Sequence, residues 1–233
     1  MTDLDNLKKD LKKAYNKEQA LILQRFFKTG KGQYGEGDIF LGLKVGDSRA
    51  IAKKYHDLPL GDIKKLLQSK IHEERLTALL LLVHLYQTTK NKKQIYDYYL
   101  AHTKHINNWD LVDLTAHKIL GHYLEDKSRD ILYKLVKSEL LWERRISIIS
   151  TFYFIAKNDF KDSLALAEML LKDKHDLMHK AVGWVLREIG KKDVNVLKEF
   201  LKKHYKNMPR TMLRYSIEKF PEDVRKKYLR GEI

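Results

Sequence analysis

The chain has 233 residues, 46 Lys and Arg against 31 Asp and Glu, a net charge of +15, and no cysteine. The missing thiols exclude disulfides, Cys-ligated zinc and Cys-held iron–sulfur clusters. The charge calls for a polyanionic partner, nucleic acid first and an anionic membrane surface second. The positive residues are spread along the chain, so a folded basic surface is expected rather than a basic tail. No signal peptide is visible, and the longest apolar run, Ala78 to Val83, is far short of the ~20 residues that span a bilayer. These features read as a cytoplasmic protein, nucleoid-associated when bound to DNA, monomeric, with no cofactor and no metal.

Apolar residues recur at three and four, beginning with Leu4, Leu7, Leu11 and Tyr15, and no segment alternates as a strand does. The expected class is all-α. In chain order the pattern predicts helices over 3–28, 47–57, 60–69, 72–88, 91–103, 109–123, 128–138, 142–157, 160–172, 176–190, 193–204, 210–219 and 221–229. Asn108 suits an N-cap before Trp109, with Asp110 in the first turn. The one long non-helical stretch is 29–46, rich in glycine and polar residues. It contains Gly30-Lys31-Gly32-Gln33-Tyr34-Gly35, which matches G-x-G-x-x-G, but no strand precedes it and no βαβ unit surrounds it. A flexible loop touching DNA or a neighbouring repeat fits better than nucleotide binding.

The short helices pair up. His72-Glu73-Glu74-Arg75-Leu76, Trp142-Glu143-Arg144-Arg145-Ile146 and Asp176-Leu177-Met178-His179-Lys180 share one shape: a polar start, charges, then apolar residues. The frame Arg75, Asp113, Arg145, Lys180, Arg214 steps by 38, 32, 35 and 34 residues. That is the period of two-helix solenoid repeats of the HEAT or TPR kind, and the TPR consensus is absent. The expectation is a single HEAT-like domain over 1–233, a curved α-solenoid of about six helix pairs. Equivalent frame residues would line a basic concave groove holding a single carboxylate.

The three tryptophans each have a charged residue next to them or about one helical turn away. Trp109 and Asp113, like Lys180 and Trp184, are four apart and share a helix face. Trp109 and Trp184 could line a site or plug a core; Trp142 reads as core. Asp113 could stabilise a developing cation and orient a water, or form an inter-repeat ion pair with Arg145. Arg145, Lys180, Arg187 and Arg214 could neutralise phosphates or form a solvated face. His72-Glu73 starts like a zincin helix, but position 76 is Leu; His102 and His105 have no third ligand. Acyl-transfer chemistry finds no support, since there is neither Cys nor G-x-S-x-G.

Asn107-Asn108-Trp109-Asp110-Leu111-Val112-Asp113, Trp142-Glu143-Arg144-Arg145 and Lys180-Ala181-Val182-Gly183-Trp184-Val185-Leu186-Arg187-Glu188 resemble the signature of the AlkD-type DNA alkylation repair proteins, HEAT-like DNA glycosylases. The resemblance runs from about Arg25 to Phe220. It implies that Trp109, Asp113, Arg145 and Trp184 surround the lesion, converging in one groove. It also implies that Phe26, where the best-known type has Tyr, contacts DNA with Arg75, Lys180, Arg187 and Arg214. Loop 29–46 is longer than in that type, and the ending Pro209-Arg210-Thr211-Met212-Leu213-Arg214-Tyr215 marks another branch.

The implied activity is hydrolysis of the N-glycosidic bond of positively charged N3- and N7-alkylpurines in duplex DNA. The leaving base is already cationic and needs no proton, so the demand is for negative charge near C1′ and a placed water. No lysine nucleophile is needed, hence no strand cleavage. The resemblance further implies that the base is not flipped into a pocket, unlike in most glycosylases. Two other readings stand beside this one: a catalytically inert binder of damaged or structured DNA, and a HEAT scaffold for an acidic protein partner.

Overall fold

The computed structural model describes residues 2–233 and is all-α. The pairing outside helices is an isolated parallel bridge between Ile39 and Ile71. Among the described residues fifteen α-helices follow one another, joined by turns, one long loop between Phe26 and Val45, two 3₁₀ turns and one π turn. The chain divides into two compact units, 1–111 and 112–233, where the sequence suggests one continuous repeat domain.

The first unit contains α1 (Asp3–Lys13), α2 (Lys17–Phe26), α3 (Val45–Lys54), α4 (Leu60–Leu67), α5 (His72–Thr88), α6 (Lys92–Ala101) and the start of α7 (Trp109–Asp113). The helix expected over 3–28 is interrupted. Asn16 caps α2 by accepting from the Gln19 N–H (3.0 Å), and its own N–H donates to the Leu41 carbonyl (2.9 Å). Asn competes with the helical backbone in this way, and a periodicity count does not register it. Helix α5 is apolar nearly all round and packs against α3, α4 and α6, as a central helix must. Its first turn, His72 to Arg75, is polar yet buried.

Glu73 organises the loop before α3. Its carboxylate accepts from the backbone N–H groups of Leu41 (2.9 Å), Gly42 (2.8 Å) and Leu43 (3.3 Å). Phe40, Leu41 and Leu43 are buried, so loop 29–46 is anchored at its C-terminal end rather than free. Gly42 has φ +84°, and a Cβ there would lie 2.2 Å from the Asn16 carbonyl oxygen, so only glycine fits.

The second unit holds the end of α7, a π turn (His117–Gly121), α8 (Asp130–Leu135), α9 (Leu141–Ser150), α10 (Phe152–Ala156), α11 (Lys161–Met169), α12 (Asp176–Lys192), α13 (Val194–His204), α14 (Arg210–Ser216) and α15 (Glu222–Arg230). The helix expected over 142–157 is divided at Thr151. Ser150 and Thr151 turn their hydroxyls back onto the carbonyls of Ile146 (2.6 Å) and Ile148 (2.7 Å), a bond that bends helices. Helix α12 is the centre, packed on α9, α10, α11, α13 and α14. At Gly183 a Cβ would meet the Tyr215 Cβ at 2.5 Å and the Met212 carbonyl at 2.6 Å, so glycine lets α14 approach α12. The three prolines, Pro59, Pro209 and Pro221, stand at the N-caps of α4, α14 and α15, where a missing N–H costs nothing.

Glu73→Ala orphans three buried backbone donors. Urea unfolding is expected to show a loss of roughly 3–5 kcal/mol. A loss below about 1 kcal/mol would mean that the loop closes without the carboxylate.

Candidate functional site

In the first unit, Trp109 ends an aromatic stack. Its ring lies on Phe27 (centroids 5.1 Å, 13° between planes), Phe27 stacks on Phe40 (4.9 Å), and Phe40 stacks on His72 (4.5 Å). Phe26, 60% exposed, meets Trp109 edge-on at 5.9 Å. Trp109 is half-buried, so one side is packed while part of the ring reaches solvent. Phe26 and Trp109 together form a partly exposed aromatic surface.

Beneath it lies a charged network that the sequence reading does not identify. His72 is within 2.8 Å of Asp110 Oδ2 and 3.4 Å of Asp38 Oδ2, and the Asn108 amide donates to Asp38 (3.4 Å). The Arg75 guanidinium lies 2.7 Å from Asp38 Oδ1 and donates to the Ser69 carbonyl (2.8 Å). All five residues are buried. Burial pushes the His72 imidazole down, but the Asp110 and Asp38 carboxylates outweigh it and raise it to about 9. Burial likewise pushes Asp38 up, and His72 and Arg75 bring it below the ordinary aspartate value. The Asn108 side chain accepts from the Trp109 N–H (2.8 Å), and Asp110 accepts from the Leu111 N–H (2.9 Å). The network therefore fixes the turn that carries Trp109.

Arg75 needs a correction. A phosphate-facing cation was expected, but its side chain is 4% exposed and its charge is matched to Asp38. The sequence signal for this was the equal number of acids and bases in His72-Glu73-Glu74-Arg75, a composition that suits internal pairing as well as a surface.

In the second unit, Asp113 and Arg145 form a two-pronged ion pair. Arg145 Nε donates to Oδ1 (2.8 Å) and an Nη donates to Oδ2 (2.7 Å); the other Nη donates to the Leu177 carbonyl (2.7 Å). Arg145 is buried, and the Asp113 side chain is 12% exposed. Such a fork sets the plane of the carboxylate. His117, in the π turn behind Asp113, is pushed down to about 4, first by burial and then by Lys118; a hydrogen bond to the Asp113 backbone opposes this.

Trp184 is half-buried on α12, against Phe152 (4.5 Å), and its indole N–H donates to Glu188 (3.2 Å). Trp142, expected in the core, is half-buried at the start of α9. Lys180 pairs with Asp176 (2.7 Å), and Arg187 bonds to Glu218. Arg214 is exposed, with no carboxylate partner among the described residues. Of the five cations expected on phosphates, including Arg145, two are buried in pairs, two are paired at the surface, and one is free. No group of metal-binding side chains occurs among the described residues, and no helix there is long and apolar enough to cross a membrane.

These features belong to an all-helical class that other proteins share. A solved structure described as a predicted DNA alkylation repair enzyme from Enterococcus faecalis superposes with a TM-score of 0.68, covering 89% of this chain and 97% of that one at 17% identity. No curated protein matches the chain. The model of the family described as DNA alkylation repair enzyme matches residues 7–220. The chain belongs to that family.

His72 holds a proton in the folded state that the unfolded chain releases near pH 6.5. Its contribution to stability is therefore full below that pH and is lost as pH rises through about 9. Between these values the wild-type protein is expected to lose about 1 kcal/mol per pH unit in urea unfolding. His72→Gln is expected to be less stable at pH 6 and to lack this slope. An equal slope in the variant would assign the proton to another group.

Proposed function

We propose that this protein is a monofunctional glycosylase for positively charged N3- and N7-alkylpurines in duplex DNA. Family membership supports alkylation repair, and the observation that carries the finer reading is the Asp113–Arg145 fork. Loss of a cationic base leaves an oxocarbenium-like sugar, and no acid is needed for the departing group. What remains is to hold negative charge near C1′ and to orient a water for attack. A carboxylate whose plane is set by a buried guanidinium suits both tasks. Arg145 is then a positioning residue rather than a phosphate ligand.

Trp109 and Trp184, each half-buried and electron-rich, offer faces to a cationic nucleotide. Phe26 extends the Trp109 surface without a hydroxyl. Arg214, with Lys180 and Arg187 at the surface, serves the backbone phosphates, and the net charge of +15 supplies long-range attraction.

The same fork also suits a protein that binds damaged DNA without cleaving it, since Asp113 would then anchor Arg145. Free base released from DNA containing 7-methylguanine separates the two readings. Asp113→Asn is expected to slow that release by roughly 10²–10³-fold. The variant leaves a buried guanidinium short of its counter-charge, at a cost of about 3–5 kcal/mol, so its folding must be verified by thermal denaturation. Release at the wild-type rate by folded Asp113→Asn would make the carboxylate structural.

Affinity for duplex DNA is expected to fall steeply with salt, with a contribution of roughly −0.9 to the log–log slope per neutralised phosphate. A slope near zero in a titration from low to moderate salt would remove the DNA reading altogether.

A further inference from the structure

Loop 29–46, the end of α4 and the turn before Trp109 enclose an open cavity of about 270 Å³ in the first unit. Lys70, Arg75, Lys104, His105 and Asn107 line it, with the carboxylates of Glu36 and Asp38. Asp38 is already matched by Arg75 and His72, and Glu36 accepts from the Gly32 N–H at 2.7 Å. Lys70 and Lys104 are exposed, and their ammonium groups have no carboxylate partner among the described residues. Two of the lining residues carry a buried polar atom with no hydrogen-bond partner among the described residues: His105 Nε2 and the Asn107 side-chain oxygen. Buried polar atoms of folded proteins are almost always paired, so two unpaired ones on neighbouring residues of one cavity point to a polar ligand.

The local charge indicates the sign of that ligand. Burial holds the His105 ring below its ordinary value, and every charged neighbour that adds to the shift is positive or titrates to positive: Lys104, His102, Arg75 and Lys64. The ring is therefore neutral at pH 7, with one nitrogen as a donor. The Asn107 amide can present its NH₂ end by rotation about χ2. Two ammoniums, an imidazole N–H and an amide form a donor set that suits a phosphate group.

We infer that this cavity holds a backbone phosphate of the bound nucleic acid and registers it against Trp109. This rests on the DNA reading above. Asn107 is two residues from Trp109, at most about 7.6 Å between Cα atoms, so a phosphate held here belongs to a nucleotide close to the one at the aromatic face. Asp38 and Arg75 are shared between the cavity wall and the network that fixes the Trp109 turn. Phosphate binding and placement of Trp109 thus act on the same side chains.

The test uses the full chain and a fluorescent duplex of about one helical turn or longer. Lys70→Ala/Lys104→Ala is compared with the charge-matched control Lys90→Ala/Lys93→Ala. The control lysines lie beyond the far end of α5, a helix of 17 residues and so about 25 Å long. All four lysines are exposed, so both variants are expected to fold.

The cavity variant is expected to bind duplex about tenfold more weakly than the control at low salt, with the magnitude of its salt slope reduced by about 1. Lys70→Arg/Lys104→Arg is expected to restore both. Equal slopes and affinities in the cavity and control variants would overturn the inference. If inorganic phosphate then raised the Tm of the wild type and not of the cavity variant, the site would belong to a free anion; if it raised neither, there would be no anion site. Release of 7-methylguanine at saturating protein is expected to persist in the cavity variant, because no group placed at the chemistry is touched. Failure of the inference therefore leaves the glycosylase reading standing. Failure of the wild type to bind DNA would end both.

Discussion

The first unit depends on burying four consecutive charged or polar side chains at the start of α5. His72, Glu73, Glu74 and Arg75 are all buried, and each finds a partner from another part of the chain. Glu73 takes the loop backbone at 41–43, Glu74 takes Lys8 of α1 at 3.1 Å, and His72 and Arg75 take Asp38. Two of the four are carboxylates at a helix N-terminus, where the backbone dipole favours negative charge. Desolvating a charge costs several kcal/mol unless it is paired, so the turn acts as a template. The long loop has to return to it, and the Asn107–Asp110 turn has to close over it. An aromatic face built on such a base is rigid because removing any one partner leaves a buried charge.

The second unit reaches the same end more simply. One arginine from α9 spans to Asp113 and to the carbonyl of Leu177, tying the end of α7 to the start of α12. Gly183 lets α14 lie against α12, and Trp184 is the next residue on that helix. The close crossing and the exposed part of the indole are thus set by neighbouring positions on one helix. This accounts for the specificity of the string Lys180-Ala181-Val182-Gly183-Trp184: the glycine packs, and the tryptophan stays at the surface.

The helices were legible because spacing of apolar residues at three and four reports burial of one face, and that suffices for the all-α class. The breaks at Asn16 and Thr151 were not, because they arise from single side chains that bond to the backbone while the apolar period continues. The Asp113–Arg145 pair was legible as one of two alternatives, since the carboxylate and the guanidinium, 32 residues apart, are one step apart in the period read from the sequence. The Asp38–His72–Asp110 network was not. Its members lie 34 and 38 residues apart, in a loop, a helix start and a turn, and no short motif contains them. The burial of Arg75 was hidden for the same reason, since its counter-charge sits in the loop whose fold periodicity cannot address.

On the proposed reading, a basic protein that recognises a cationic lesion faces opposed demands. Phosphates call for positive charge at the surface, while a sugar cation calls for negative charge at one point. The two units meet these demands by separating them according to burial. The cations placed near carboxylates in the interior, Arg75 and Arg145, are spent on fixing geometry, and their fields are largely cancelled by Asp38 and Asp113. On that reading the cations left for phosphates are the exposed ones, such as Arg214, Lys70 and Lys104, which have no carboxylate partner among the described residues. Asp113 can then present a carboxylate within a chain of net charge +15 because its nearest positive neighbour is held in the plane of its own oxygens. A lysine in place of Arg145 would keep the charge and lose the plane, which is why the pairing of these two residue types, rather than the count of charges, defines the site.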